Sequence, residues 1–187
     1  MVLVSGGRCI PSTWFRWHTG LIEPGMRVLD LACGSGCHAI AAAQRGASVV
    51  AVDSDEAQLR EAERAARKAG VVVQWEAADL TREPLPEGPF DLVMQFNYLD
   101  RARFPEFLAV VAPGGFFEAE TFLDRQRELG WGPTSDEHLL RPGELWSLVG
   151  HFEVVLAREV HETLDGRTRA VASILARRLP NDGLMEP

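Results

Sequence analysis

The sequence predicts an α/β protein: a doubly wound, mostly parallel sheet with helices on both faces, closed by an antiparallel hairpin. Three observations carry this. Short apolar runs alternate with helical patterns over most of the chain. A glycine-rich turn, Gly34-Ser35-Gly36, sits between the first such run and the first helical pattern. The tail holds two strand-like runs flanking Asp165-Gly166, a strong hairpin signal.

Each element has its own warrant. Arg27–Leu31 reads as a buried strand, followed by the glycine turn and an alanine-rich helix to about Arg45. Ser48–Val52 is a second strand, ending at Asp53. Asp55–Ala69 is a helix, because Leu59, Ala62, Ala66 and Ala69 recur at spacings of three and four and Gly70 stops it. Val71–Trp75 and Phe90–Phe96 are the third and fourth strands. Arg103–Val111 reads as a helix, broken by Pro113-Gly114-Gly115, and Phe116–Glu120 as the fifth strand. Such alternation implies parallel strands joined by right-handed crossovers. Phe152–Val160 and Thr168–Arg178 form the hairpin, joined through residues 161–167, and residues 181–187 read as a tail.

The bulk numbers fit one domain over residues 1–187: 187 residues, 46% of them hydrophobic and 25% charged. Within it, residues 1–26 read as an N-terminal cap, 27–120 as a cofactor-binding half, 121–145 as a candidate lid and 146–178 as the hairpin region. A net charge of −8 argues against extended contact with a nucleic-acid backbone. No apolar run approaches the length of a membrane span, and the N-terminal run is too short for a signal peptide. Three cysteines, an odd and sparse count, fit a reducing compartment better than a disulfide scaffold. The expectation is a cytoplasmic monomer or homodimer with a small-molecule substrate, no nucleic acid and no membrane.

The glycine turn has two readings. Gly34-Ser35-Gly36-Cys37-His38-Ala39 fits the loose dinucleotide fingerprint, with Asp53 at the usual offset for a ribose partner. It would serve NAD or S-adenosylmethionine. Asp30 separates the two, because a carboxylate at the strand end repels a pyrophosphate and suits the ammonium of a methionyl group. Asp79, in the loop after strand three, is a candidate acceptor for an adenine amino group. Asp53 takes the ribose hydroxyls on either reading; its plainer alternative is an N-cap.

These residues resemble the motifs of class I methyltransferases. Val28-Leu29-Asp30-Leu31-Ala32-Cys33-Gly34-Ser35-Gly36 looks like their first motif; Asp53, Asp79-Leu80, Phe90-Asp91-Leu92-Val93 and Ala112-Pro113-Gly114-Gly115 resemble the later ones, in order. The resemblance covers about residues 25–178. It implies a Rossmann-like, seven-stranded sheet of order 3-2-1-4-5-7-6 with strand 7 antiparallel, and S-adenosylmethionine as cofactor, leaving S-adenosylhomocysteine. It points to Trp14, Asp30, Ala32, Cys33, Gly34, Gly36, Asp53, Ser54, Asp79, Leu80, Gln95 and Phe96 as the cofactor's surroundings. Within the superfamily, Asn97-Tyr98-Leu99-Asp100-Arg101, Glu120-Thr121-Phe122 and Leu139-Leu140-Arg141-Pro142-Gly143-Glu144-Leu145 resemble the tellurite-resistance-type methyltransferases and their relatives. Those relatives open the final hairpin turn with a His-Arg pair and return an Arg eight residues on. His161 and Arg169 match; Glu162 replaces the other Arg.

The candidate reacting centre is Asn97, Tyr98, Glu120, His161 and Arg169, with Arg101 and Arg141 as candidate anion-binding groups. Asn97 and Tyr98 follow strand four, where doubly wound folds seat their ligands. Glu120 is either a general base or the partner of an Arg in an ion pair. Cys33, Cys37 and His38 lie close enough to suggest a metal site but lack a fourth ligand, and read as packing around the turn. No metal is expected. The reaction implied is in-line displacement onto a small acceptor such as a thiol or a chalcogen oxyanion. The alternatives are a non-catalytic S-adenosylmethionine-binding sensor or partner subunit, an NAD-dependent enzyme and a nucleic-acid methyltransferase.

Overall fold

The computed structural model describes residues 10–180 except 165. Its sheet has seven strands in the order β3-β2-β1-β4-β5-β7-β6. These are β1 (Arg27–Leu31), β2 (Ser48–Asp53), β3 (Gln74–Ala77), β4 (Phe90–Phe96), β5 (Val111–Phe122), β6 (Glu153–Leu164) and β7 (Arg167–Arg177). The first five run parallel, and β7 pairs antiparallel with both β5 and β6. The helices are α1 (Thr13–His18), α2 (Cys37–Gln44), α3 (Glu56–Ala69), α4 (Phe104–Ala109) and α5 (Glu144–Leu148). Each face of the sheet has its own core. One packs Trp14, Phe15 and the alanines of α2 on Val28, Met94 and Phe96; the other packs Phe104 and Phe107 on Leu29, Val93 and Phe117.

Several boundaries differ from the sequence reading, each for a local reason. Asp55 is the N-cap of α3, accepting from the Ala57 and Gln58 amides, so the cap is not Asp53. Gly70 ends α3 at φ 73°, and the Val71 amide still donates to Ala66 O. Residues 71–73 therefore complete the helix stop, Val72 is exposed, and β3 starts at Gln74 rather than Val71. Strand β5 begins at Val111, opposite Phe90, and its register shifts before Phe116 pairs with Leu92. The Pro113-Gly114-Gly115 run is thus a bulge inside the strand, where a side chain on Gly115 would meet Asp91 O at 2.9 Å. Strands β6 and β7 run on to Leu164 and Arg167, so His161 lies within a ladder, opposite Ala170, and not at a turn.

Residues 121–145 are anchored on β7. The Gln126 side chain is fully buried; its Oε1 accepts from Ala170 N–H at 2.9 Å and its Nε2 donates to Trp131 O at 2.9 Å. Trp131 Nε1 donates to Thr168 O at 2.8 Å.

Candidate active site

The carboxyl ends of β1, β2, β3 and β4 open on one cavity of about 320 Å³. That is within the usual range for small-ligand sites. Parallel strands point their carboxyl ends the same way, so residues scattered along the chain converge there. Asp30, Ala32, Cys33, Gly34, Asp53, Ser54, Asp79, Leu80, Phe96, Asn97 and Tyr98 all line it.

Asp30 is 1% exposed, and its Oδ2 accepts from Ala39 N–H of α2 at 3.0 Å. Burial raises its pKa to about 8, a rise that the Ala39 bond opposes and nearby Asp53 reinforces. Asp53 braces the glycine turn: its Oδ2 accepts from Gly34 N–H at 2.7 Å and its Oδ1 from Asp55 N–H at 2.9 Å. Gly34 and Gly36 have φ of 53° and 73°, the left-handed region that glycine tolerates. A side chain on Gly36 would come within 2.5 Å of the Trp75 ring, so this glycine lets α2 meet β3 and does not line the cavity. Among the described residues, Ala32 and Asn97 are the positive-φ residues other than glycine, and both line the cavity. Asn97 N–H donates to Glu120 O at 2.8 Å, which fixes the turn after β4 while leaving its side chain exposed. Asp79 is held by its own loop, accepting from Thr81 N–H at 3.0 Å, Thr81 Oγ1 at 2.6 Å and Arg82 Nε at 2.7 Å; the Thr81 bonds chiefly depress its pKa. Tyr98 is half-buried against Phe107, and burial raises its phenol to about 12.

Other candidates lie elsewhere. Trp14, on α1, is buried and meets Trp17 and His18 of the same helix. Gln95 is in the core, its Nε2 donating to Tyr98 O at 2.9 Å. Glu120 and Arg169 meet beneath α1. Glu120 Oε1 accepts from Arg169 at 2.8 Å, and its Oε2 accepts from Arg158 at 3.1 Å and Ser173 Oγ at 2.7 Å. Arg169 is also bound to Glu162, whose other oxygen is 3.0 Å from Arg158. With every Glu120 oxygen engaged by a cation, the side chain is an ion-pair partner and not a free base. Arg101 is clamped by Glu144 at 2.6 Å and 2.9 Å, and both its terminal nitrogens also bond carbonyls of residues 136–139. Arg101 and Arg141 border a separate surface pocket with Asp124 and Arg127. His161 is exposed and lines a groove with Asp124 and Glu159. The structure does not bring Arg101, Arg141, His161 or Arg169 to the cavity at the strand ends.

Among the described residues no group of His, Cys, Asp or Glu is disposed to hold a metal ion. Cys33 is a free, buried thiol whose pKa burial pushes far up. Cys37 is disulfide-bonded, a bond that the sparse cysteine count did not anticipate. Sequence reasoning set aside His38 and missed Gln58, both of which line the cavity. Gln58 carries a legible signal, since it lies one turn into the helix that Asp55 caps.

A family profile described as a methyltransferase domain matches residues 28–115, which span β1 to the bulge of β5. Over these residues the chain is similar to a methyltransferase domain, and its strand order is the one that the resemblance to class I methyltransferases implied. The ribosomal protein L11 methyltransferase of Thermus thermophilus is 40% identical over 96 residues, 50% of this chain and 37% of that protein. The ubiquinone biosynthesis O-methyltransferase of Rhizobium johnstonii is 33% identical over 145 residues, 65% of this chain and 56% of that protein. The chain thus spans about half, or less, of the length of these relatives. Among solved structures, TehB from Haemophilus influenzae superposes with a TM-score of 0.68 at 19% identity, over 88% of this chain and 61% of that one. Magnesium protoporphyrin IX methyltransferase from Synechocystis PCC 6803, solved with bound S-adenosylhomocysteine, gives 0.70 at 20% identity, over 88% and 79%. At these identities the structural likeness speaks for the fold.

Proposed function

We propose that the chain transfers a methyl group from S-adenosylmethionine to a small, uncharged or thiolate acceptor. The observation that carries this reading is the convergence of Asp30, Asp53 and Asp79 on one cavity at the strand ends. Asp30 suits the ammonium of the methionyl arm, Asp53 the ribose hydroxyls, and Asp79 the adenine amino group. Among the described residues, none that lines the cavity is Lys or Arg. That fits a cationic sulfonium ligand and opposes the pyrophosphate of NAD.

When bound, the cofactor supplies an electrophilic methyl and a thioether leaving group. The protein's share is alignment and exclusion of water. Phe96, Asn97 and Tyr98 border the end of β4, next to Asp30 across the sheet. Neither Tyr98, held protonated by its raised pKa, nor the fully paired Glu120 is set up as a base. An acceptor that sheds its proton to solvent, such as a thiol or an acidic phenol, fits this lack. A chalcogen oxyanion fits less well, because Arg169 and Arg101 are already paired with Glu120, Glu162 and Glu144. The relatives named for ubiquinone and protoporphyrin support a small acceptor; the relative named for ribosomal protein L11 is the counter-example. No helix among the described residues is long and apolar enough to cross a membrane.

Calorimetric titration with S-adenosylmethionine, S-adenosylhomocysteine and NAD tests the cofactor. Binding of the first two alone supports the reading, and a screen of thiols, phenols and tellurite follows. Binding of NAD, or of none of the three, overturns it.

A further inference from the structure

The donors around the cavity are unevenly spread. Ser54 and Gln58 stand with Asp53, and the Thr81 hydroxyl is spent on Asp79. S-adenosylmethionine, if bound as proposed, carries one anionic group, the carboxylate beside its ammonium. That group needs a donor near Asp30, where no lysine or arginine among the described residues lines the wall.

His38 stands there, one residue before the Ala39 amide that Asp30 accepts from. It is 9% exposed and lines the cavity. The imidazole stacks on Phe96, with centroids 3.9 Å apart and planes at 10°, and Phe15 meets its edge at 5.2 Å. Nε2 accepts from Ser12 N–H at 3.1 Å. A neutral imidazole carries one proton, so this bond assigns it to Nδ1. Burial, and secondarily the Arg169 charge, lowers the pKa of the ring to about 3, which keeps it neutral. Nδ1–H has no partner among the described residues and is not sealed in the core. The packed ring thus presents a fixed donor that the protein leaves unused.

We infer that His38 is a positioning residue of the cofactor site: its Nδ1–H donates to the cofactor carboxylate while its Nε2 holds Ser12, the N-cap of α1, in place. This rests on the S-adenosylmethionine reading above. A permanent donor suits an anion, whereas the same bond to an acceptor's lone pair would blunt the nucleophile. One ring then links the occupant of the cavity to the start of α1, since Ser12 also caps that helix through Oγ and Phe15 N–H at 3.1 Å.

The test compares S-adenosylmethionine with its decarboxylated analogue by calorimetry. The wild-type protein is expected to bind the carboxylated form about tenfold tighter or more, the size of a hydrogen bond to a charged group. His38→Gln keeps an acceptor for Ser12 N–H but places no donor at Nδ1, so that preference is expected to collapse, with affinity for the analogue unchanged. Equal binding of the two ligands by the wild type overturns the inference with no variant needed. So does a variant that keeps the preference, or one that weakens both ligands alike. Failure of the wild type to bind either ligand is the separate outcome that sinks the cofactor reading itself.

Discussion

Glu120 and Arg169 form an ion pair at 2.8 Å, with both side chains buried between the sheet and α1. Arg158 and Glu162 close the network, and Arg158 lies over the Trp14 and Trp17 rings at 5.1 Å and 4.8 Å. Its role is structural, and removing one member leaves a desolvated charge behind. Glu120→Gln is expected to lower unfolding stability by about 3–5 kcal/mol, as for other broken buried pairs. Activity per folded molecule should stay within a few-fold of wild type. Urea titration with parallel assays checks this; a normal stability with activity abolished would restore Glu120 as a base.

Asp53→Asn should weaken S-adenosylmethionine binding. The loss expected for a charged hydrogen bond is about 1.5–3 kcal/mol, roughly tenfold to a hundredfold. Circular dichroism checks that the loosened Gly34 turn has not unfolded the chain. Unchanged affinity would remove Asp53 from the ribose site.

Asn97→Ala should behave differently. Its backbone amide, not its side chain, makes the bond to Glu120 O. Cofactor affinity is expected to hold while turnover falls, once an acceptor is found. Unchanged turnover would place the side chain outside the reacting centre.

Gly36→Ala combines a left-handed φ with a Cβ 2.5 Å from Trp75. Overpacking of this kind costs about 1–3 kcal/mol, and the strained backbone adds about 1–2. Adding Trp75→Leu should recover the packing part only. Thermal melts of the single and double variants check it, and full recovery would show that the backbone strain is negligible.

The unliganded protein should lose stability as pH rises from about 4 towards 8. Asp30 has a folded pKa raised to about 8 from 3.8, so between those values the folded state holds a proton that the unfolded chain has lost. Buried Glu118, also raised, adds the same sign. Asp30→Asn should flatten part of the slope of melting temperature against pH; an identical slope would mean that Asp30 titrates normally.

The strands and the acids at their ends were legible because both are local: period, glycine turns and an acid after each apolar run; the strand order, set by pairings distant in sequence, came only from the resemblance to class I methyltransferases. Val71–Val73 misled because an apolar run after Gly70 looks the same whether it starts a strand or finishes a helix stop. His38 gave no periodic signal among the small residues of α2, and only stacking on Phe96, distant in sequence, turns its ring to the cavity. Glu162 read as a departure from a pattern. Its meaning depended on register, since only the β6–β7 ladder sets it opposite Arg169.

Strand β7 lies inside the sheet, between β5 and β6, yet it follows both of them in the chain. Until residue 177 has left the ribosome, the long edge of β5 has no neighbour on one side, and Glu118 and Glu120 face outward from an incomplete layer. A nascent chain in that condition exposes an unpaired strand, the feature most prone to intermolecular association. Closure must therefore wait for residue 177, so deletion of residues 167–177 would remove the wedge that joins five strands of the sheet to β6 and should cost solubility before it touches the cavity.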